Sequence, residues 1–262
     1  MAMQSTAQAV IPMIGDPVAQ AATPALWNAH FAAHGIDAVC VPVHLPPAGL
    51  AAFIEMVRHA RNIPGFVTTI PHKAALPGFC DTHAPEVAAL GTANTVARRP
   101  DGTLSAAMFD GHGMMDALAE AGFRPESAAL AICGAGAAGG AIAFEALRRG
   151  AERITLADRD APTARRLAER LRAAFPAARV ETGPAPQGAI LVNASPAGSG
   201  DDATCPFVQD EIAAAPLVAD AVTQPKETPL LAAAHRLERP SVAGAEMAAH
   251  QADAMRRFIG LA

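Results

Sequence analysis

The chain has 262 residues, of which 51% are hydrophobic, 17% charged and 4% aromatic, and carries a formal net charge of −5. This length supports two domains and a sizeable core, and an acidic balance without a basic stripe excludes nucleic acid as the natural partner. No uncharged run is apolar enough to span a bilayer, no charged-then-apolar leader opens the sequence, and Cys40, Cys80, Cys133 and Cys205 lack metal-ligand spacing. Composition thus points to a cytoplasmic enzyme with buried, reduced thiols, no membrane partner and no metal.

In chain order, a strand is expected near Val10–Ile14, a helix from Pro24 to about Ala33, and a strand near Ala38–Val43. A helix near Leu50–His59 and a strand near Gly65–Ile70 follow. This βαβαβ order predicts a parallel sheet. Pro71 then occupies a favoured first helical position, which places Lys73 in a first turn. A cation there opposes the helix dipole by a few tenths to about 1 kcal/mol. Lys73 and Lys226 are the only lysines, the other basic residues being arginine or histidine. Lysine can donate a proton where arginine cannot, because burial lowers its pKa. On this chemistry alone, proton transfer and a solvated surface lysine are equally good readings of Lys73. Val96–Arg98 and Leu104–Met108 flank Pro100, Asp101 and Gly102 and predict a hairpin. A helix near His112–Ala121 leads into the second domain.

Ala128–Cys133 reads as a strand, Ala137–Arg149 as a helix, and Arg153–Ala157 as a strand ending at Asp158. Between the first two lie Gly134, Gly136 and Gly139 in G-x-G-x-x-G spacing. Together these form the dinucleotide-binding fingerprint. Gly134 permits the turn, Gly136 lets the backbone approach a pyrophosphate, and Gly139 packs helix on strand. The helix N-terminus faces the phosphates. Gly134, Ala135, Gly136, Ala137, Ala138 and Gly139 are therefore candidate cofactor ligands. Asp158 stands where a carboxylate accepts from the ribose hydroxyls of NAD and repels the 2′-phosphate of NADP. NAD is expected as the preferred cofactor, with NADP also possible. Arg159 can stack on adenine or meet a phosphate. The alternative is that Asp158 merely starts the next turn.

Strands near Arg179–Glu181, Ala189–Asn193 and Leu217–Asp220 continue this domain, and a last helix, about Gly244–Phe258, folds back on the first. The expected fold is α/β with two domains. Residues 1–111 form a substrate-binding and catalytic domain completed by residues 241–262, and residues 112–240 form a Rossmann domain. The active site is expected in the cleft between them.

Seven ordered segments resemble the shikimate dehydrogenase family over almost the whole length. Gly15 to Pro24 is similar to G-x-P-x-x-x-S-x-S-P, Thr69 to Lys73 to T-V-P-x-K, and Gly91 to Thr95 to G-A-x-N-T. Phe109-Asp110-Gly111 resembles T-D-G, and Asn193 to Gly198 resembles N-A-T-P-x-G. Asp220 with Pro225 and Thr228 to Leu231 resembles D-x-x-Y-x-P-x-x-T-P-L-L. Gly244, Met247 and Gln251 resemble G-x-G-M-x-x-x-Q.

The resemblance implies that Lys73 and Asp110 are the catalytic pair. Lys73 would exchange the proton while hydride passes to or from the nicotinamide, and Asp110 would hold Lys73 and the substrate hydroxyl. Asp110 also suits a helix N-cap, and both roles can coexist. Thr23, Thr69, Asn94 and Gln251 are the implied substrate-binding residues. Asn193, Ala194, Ser195, Ala221 and Gly244 join the glycine loop as implied cofactor-binding residues. The partner is a small cyclic hydroxy acid, and the chain is expected to be a monomer or homodimer.

The departures fall at one end of the implied site. The two serines that hold the substrate carboxylate in the family correspond to Ala21 and Thr23, and Thr23 also suits a helix cap. Val67 replaces an asparagine, Phe109 a threonine and Thr223 a tyrosine. Each lost hydrogen bond to a charged group weakens binding by about 1.5–3 kcal/mol, so shikimate is expected to bind poorly unless Thr68, Thr223 or His72 takes over. His72 could be a substrate contact, a pKa modulator or an exposed helix residue, and the last is expected. Glu246 replaces a glycine near the implied nicotinamide position. The expected activity is NAD(P)-dependent hydride transfer at a ring hydroxyl of shikimate, quinate or a related cyclic polyol acid. The alternative is a non-catalytic, NAD-binding regulatory protein on the same fold.

Overall fold

The computed structural model describes residues 8–19, 21–124 and 128–261. Gln20, inside the N-terminal glycine–proline motif, lies outside the described residues. The chain divides into two compact units, one of Met1–Phe109 with Ala252–Ala262 and one of Asp110–Gln251.

In the first unit, β1 (Ala9–Gly15) is followed by α1 (Thr23–His34), β2 (Ala38–His44), α2 (Leu50–His59) and β3 (Gly65–Thr68). Then come β4 (Thr82–His83), α3 (Pro85–Leu90), β5 (Thr95–Arg98) and β6 (Leu104–Ala107). Among the described residues the strands order β2-β1-β3-β5-β6-β4. β1 pairs in parallel with β2 and β3, as the βαβαβ reading predicts. β5 runs antiparallel to both β3 and β6, and its pairing with β6 is the hairpin predicted from Val96–Arg98 and Leu104–Met108. The turn at Pro100–Gly102 is too short for a crossover, so β6 must return antiparallel. β1 is buried along most of its length, as a central parallel strand requires. Trp27 and Phe31, one turn apart on α1, enter the core beside Ile11, Met13 and Val67. Gly35, at φ 64°, ends α1 in the left-handed conformation.

β3 stops two residues short of the predicted strand. Pro71 has no N–H to offer a ladder, and the chain enters a 3₁₀ turn at His72–Ala74, followed by a second at Leu76–Phe79. The expected α-helical first turn at Lys73 is therefore corrected to a short 3₁₀ turn, and the dipole argument loses its α-helix.

In the second unit, α4 (Asp110–Glu120), β7 (Ala129–Cys133), α5 (Ala137–Arg148) and β8 (Arg153–Ala157) lead to α6 (Ala161–Ala174) and β9 (Arg179–Thr182). β10 (Ile190–Asn193), α7 (Gln209–Ala214), β11 (Val218–Asp220), α8 (Pro229–Arg236), β12 (Ser241–Val242) and α9 (Gly244–Ile259) complete the chain. The described strands form one parallel sheet, ordered β12-β11-β10-β7-β8-β9. α9 divides between the units, and its last turns give Ala252, Met255 and Ile259 to the core of the first.

Only Cys40 of the cysteines is buried, the other three being half-buried, which corrects the expectation of four buried thiols. Burial pushes the Cys40 and Cys80 thiols up to about 12. No helix among the described residues is long and apolar enough to cross a membrane. The described residues hold no cluster of three or more metal-type ligands.

Candidate active site

In the first unit the candidate residues gather at the C-terminal ends of β1, β2 and β3, the edge where open α/β sheets place ligands. Three segments are joined there by backbone hydrogen bonds. Thr69 N–H donates to Ile14 O (3.0 Å), Asp16 N–H to Ile70 O (2.9 Å) and Leu45 N–H to Gly15 O (3.0 Å). A Cβ on Gly15 would lie 2.5 Å from Thr69 Cγ2, so only glycine lets the strands converge this closely. Ala93 N–H donates to Lys73 O (2.9 Å) and Thr68 N–H to Asn94 O (2.8 Å), which brings the turns carrying Lys73 and Asn94 together. Asn94 is buried, and its Oδ1 accepts from Phe109 N–H (3.1 Å) and Thr95 Oγ1 (2.9 Å). Lys73 is half-buried.

Several expectations about this edge need correction. Thr23 is not the cap of α1, since Ala22 holds the N-cap position and makes no side-chain cap bond. His72 is 1% exposed rather than solvated, and its Nε2 lies 2.8 Å from Leu45 O. Thr68 is also buried, and its hydroxyl donates to Ile14 O and Thr69 O (3.2 Å each). Two of the three proposed substitutes for the carboxylate contacts are thus committed within the protein.

In the second unit, Gly134 adopts φ 101°, and a Cβ there would lie 2.6 Å from Ser195 N and Ala194 C. A Cβ on Gly139 would lie 1.8 Å from Gly134 O. A Cβ on Gly136 meets nothing, so the loop is open at the N-terminus of α5. The first N–H groups of α5 have no intrahelical partners by helix geometry, and with the glycine cradle they fit a pyrophosphate. The predicted loop, Asp158 and Ala194–Ser195 are therefore neighbours. Asp158 Oδ2 accepts from Ala135 N–H (2.8 Å) and Oδ1 from Asp160 N–H (2.9 Å), while Arg159 is exposed. Gly244 packs on the backbone of Ala221 and Val222, with a hypothetical Cβ 2.4 Å from Val222 O. Glu246 Oε2 accepts from Ala243 N–H (2.7 Å) and so caps the start of α9.

Asn193 is fully buried, and its amide donates to Asp220 Oδ1 and Ala197 O (3.0 Å each) while its Oδ1 accepts from Ser195 Oγ (2.7 Å). Asp220 also accepts from Val222 N–H (2.9 Å) and Thr228 Oγ1 (2.6 Å), and Thr228 in turn caps α8. Burial pushes the Asp220 carboxyl up, and its three donors pull it back only partly. This network shapes the loops beyond β10 and β11 from below. Asp220 stands in the D-x-x motif with no role evident from the sequence. An acidic residue closing an apolar strand, eight residues before Thr228, is the signal that marks it.

Asp110 opens α4 and is 3% exposed. Two glycines seat this helix. A Cβ on Gly111 would lie 2.1 Å from Ala141 O of α5, and one on Gly113 would lie 2.4 Å from Met247 O and 2.8 Å from Gln251 Cβ of α9. Gln251 Oε1 is enclosed and accepts no hydrogen bond from the described residues. Farther along the same helix pair, buried Glu145 takes hydrogen bonds from Arg148 (2.6 Å) and Arg149 (2.7 Å). Burial alone would raise the Glu145 carboxyl, but these two guanidinium groups outweigh it and hold it low. Arg149 also pairs with Asp116 of α4 (2.7 Å), tying α4 to α5 a second time.

The chain is similar to proteins of known activity along nearly its full length. A family model described as the shikimate dehydrogenase substrate binding domain matches residues 13–96. Shikimate dehydrogenase (NADP(+)) of Rubrobacter xylanophilus is 35% identical over 261 residues, covering 96% of this chain and 91% of that protein. The ligand-free crystal structure of 5-ketofructose reductase from Gluconobacter sp. strain CHM43 superposes with a TM-score of 0.87 at 28% identity, covering 96% and 92% of the two chains. Quinate dehydrogenase from Corynebacterium glutamicum, solved with NAD, gives a TM-score of 0.86 at 26% identity, covering 97% and 94%. The glycine cradle, the lysine turn and these likenesses define an NAD(P)-dependent oxidoreductase. More narrowly, the chain belongs to the shikimate dehydrogenase family.

Proposed function

We propose that the protein exchanges hydride between a nicotinamide dinucleotide and a ring hydroxyl or ketone of shikimate, quinate or a related cyclic polyol acid. The observation that carries this reading is the joining of the Lys73 turn to Ala93–Asn94 at the C-terminal edge of one sheet. That junction joins the turns that carry Lys73 and Asn94, which supports assigning both to acid–base chemistry on a hydroxyl. The nicotinamide supplies or accepts the hydride when bound. Lys73 protonates the carbonyl oxygen as the ketone is reduced and takes the proton back from the hydroxyl in oxidation. Asp110 is assigned the carboxylate of the catalytic pair. Thr23, Thr69, Asn94 and Gln251 are assigned to the substrate, and the enclosed Oε1 of Gln251 suits a substrate hydroxyl donor. Lys73, Thr23, Thr69 and Asn94 belong to the first unit, and Asp110, Gln251 and the nucleotide-binding loop to the second. Thiols free of disulfides fit the expected cytoplasmic location.

A second reading concerns the substrate's charge. Ala21 and Val67 offer no hydrogen bond to a carboxylate, and Thr68 and His72 are already engaged. An uncharged keto sugar such as 5-ketofructose avoids that loss, and the reductase of Gluconobacter is one of the similar structures. The purified protein should be assayed with NAD or NADP against shikimate and quinate, and with NADH or NADPH against 5-ketofructose. Turnover of either acid supports the main reading, and turnover of the keto sugar alone supports the second. Cofactor binding with no turnover of any of the three would sink both.

For the cofactor, the Asp158 carboxylate beside the loop supports NAD as the preferred form with NADP also used, although the Rubrobacter relative is named for NADP(+). Asp158→Ser removes the charge and keeps a short acceptor for Ala135 N–H. It is expected to shift the ratio of kcat/KM toward NADP by about 10-fold, the worth of one ribose contact of about 1.4 kcal/mol. An unchanged ratio removes Asp158 from cofactor selection.

A further inference from the structure

We propose that His72 is a positioning residue for Lys73, acting through a hydrogen bond from its imidazole to the carbonyl of Leu45. The inference rests on the reading of Lys73 as the acid–base group. His72 is 1% exposed and directly precedes Lys73 in the 3₁₀ turn. Its Nε2 lies 2.8 Å from Leu45 O. A carbonyl oxygen only accepts, so Nε2 carries the proton and acts as donor.

Three backbone bonds and one from the His72 ring hold the turn. His72 N–H donates to Thr69 O (3.1 Å) and Ala75 N–H to His72 O (3.0 Å), and both are local. Ala93 N–H donates to Lys73 O and fixes the turn on the Asn94 side. On the opposite side the His72 ring reaches the chain 27 residues earlier, at the end of β2. Leu45 is itself anchored, because its N–H donates to Gly15 O at the end of β1. The imidazole therefore ties the lysine turn to the C-terminal ends of β2 and β1. A 3₁₀ turn of three residues has little stiffness of its own. Without the ring, one side of the turn loses this side-chain tether to the end of β2, and the half-buried Leu45 O loses a donor.

The test compares His72→Leu, which removes the donor, with His72→Gln, whose amide N–H reaches a similar point. Val57→Ala serves as a control, because Val57 is fully buried on α2 and outside the proposed machinery. Lys73→Met is assayed alongside. His72→Leu is expected to lower kcat at least 10-fold with KM and cofactor affinity within 3-fold of wild type, and His72→Gln to recover kcat to within 3-fold. Val57→Ala should lower thermal stability and leave kcat unchanged at temperatures where it is folded. A readout independent of turnover is available because Lys73 and Lys226 are the only lysines. After reductive ¹³C-methylation, the Lys73 resonance, assigned by its loss in Lys73→Met, should move in His72→Leu and return in His72→Gln, while that of Lys226 stays fixed. Wild-type kcat and an unmoved Lys73 resonance in folded His72→Leu overturn the proposal. So does a glutamine variant no better than leucine. An active Lys73→Met instead overturns the underlying reading of Lys73, and the positioning role with it.

Discussion

Lys73→Met lowers turnover by about 10²–10⁴-fold, the usual contribution of a positioned acid–base group, and leaves cofactor affinity at the wild-type value. Methionine keeps the length and apolar stem of the side chain and removes the proton it exchanges. The turn itself should survive, because the bonds of the Lys73 carbonyl and of His72 are left in place. Lys73→Arg sharpens the result. Arginine keeps the positive charge but does not give up its proton near neutral pH. If electrostatic polarisation of the ketone were the whole contribution, the arginine variant would retain most of the activity. With proton transfer as the main role, it stays close to methionine. Steady-state kinetics, with cofactor affinity measured by fluorescence titration, distinguishes these cases. Near-wild-type turnover in Lys73→Met would remove Lys73 from the mechanism.

Gly139→Ala acts on the nucleotide instead. The new Cβ would fall 1.8 Å from the Gly134 carbonyl oxygen, a backbone atom that cannot rotate away. The helix must lift from the glycine turn or the turn must open, and Gly134 is itself held against Ala194 and Ser195. Overpacking of this kind costs about 1–3 kcal/mol, which corresponds to about 5- to 150-fold in an equilibrium constant. That cost should appear as a raised dissociation constant for the dinucleotide, with kcat at saturation much less affected. Gly136→Ala is the matched comparison, because its Cβ enters open space within the protein and can obstruct only a bound ligand. Unaltered cofactor affinity in Gly139→Ala would mean that the loop does not cradle the pyrophosphate.

The parts of this fold that read directly from the sequence are those whose signal is local. β1, β7 and β8 are runs of β-branched and apolar residues with sharp ends, and the glycine loop stands between two such strands at a diagnostic spacing. α6 is harder to read, because its buried positions are Ala164, Leu167, Ala168 and Leu171, and alanine carries a weak apolar signal. α7 and α3 are six residues each, too short to show periodicity. The candidate site divides in the same way. Gly134, Gly139 and Asp158 act through a local turn and are visible in the sequence. His72 looks like an exposed residue until Leu45, 27 positions earlier, is placed against it. Asp220 and Asn193 likewise become a network only when β10 and β11 lie side by side. Sequence spacing carries no information about such partners.

The two glycines of α4 have a consequence for how heat affects the site. Gly111 meets the carbonyl of Ala141, and Gly113 meets the carbonyl of Met247, so these contacts involve main-chain atoms with no intervening Cβ on α4. An ordinary helix contact is cushioned by side chains that hop among rotamers as temperature rises. At these two points there are no rotamers to populate and no side-chain entropy to gain. The register of Asp110 against the helix that starts at the glycine loop thus has nothing to soften gradually. It should stay fixed on warming until the surrounding unit melts, and then be lost in one step.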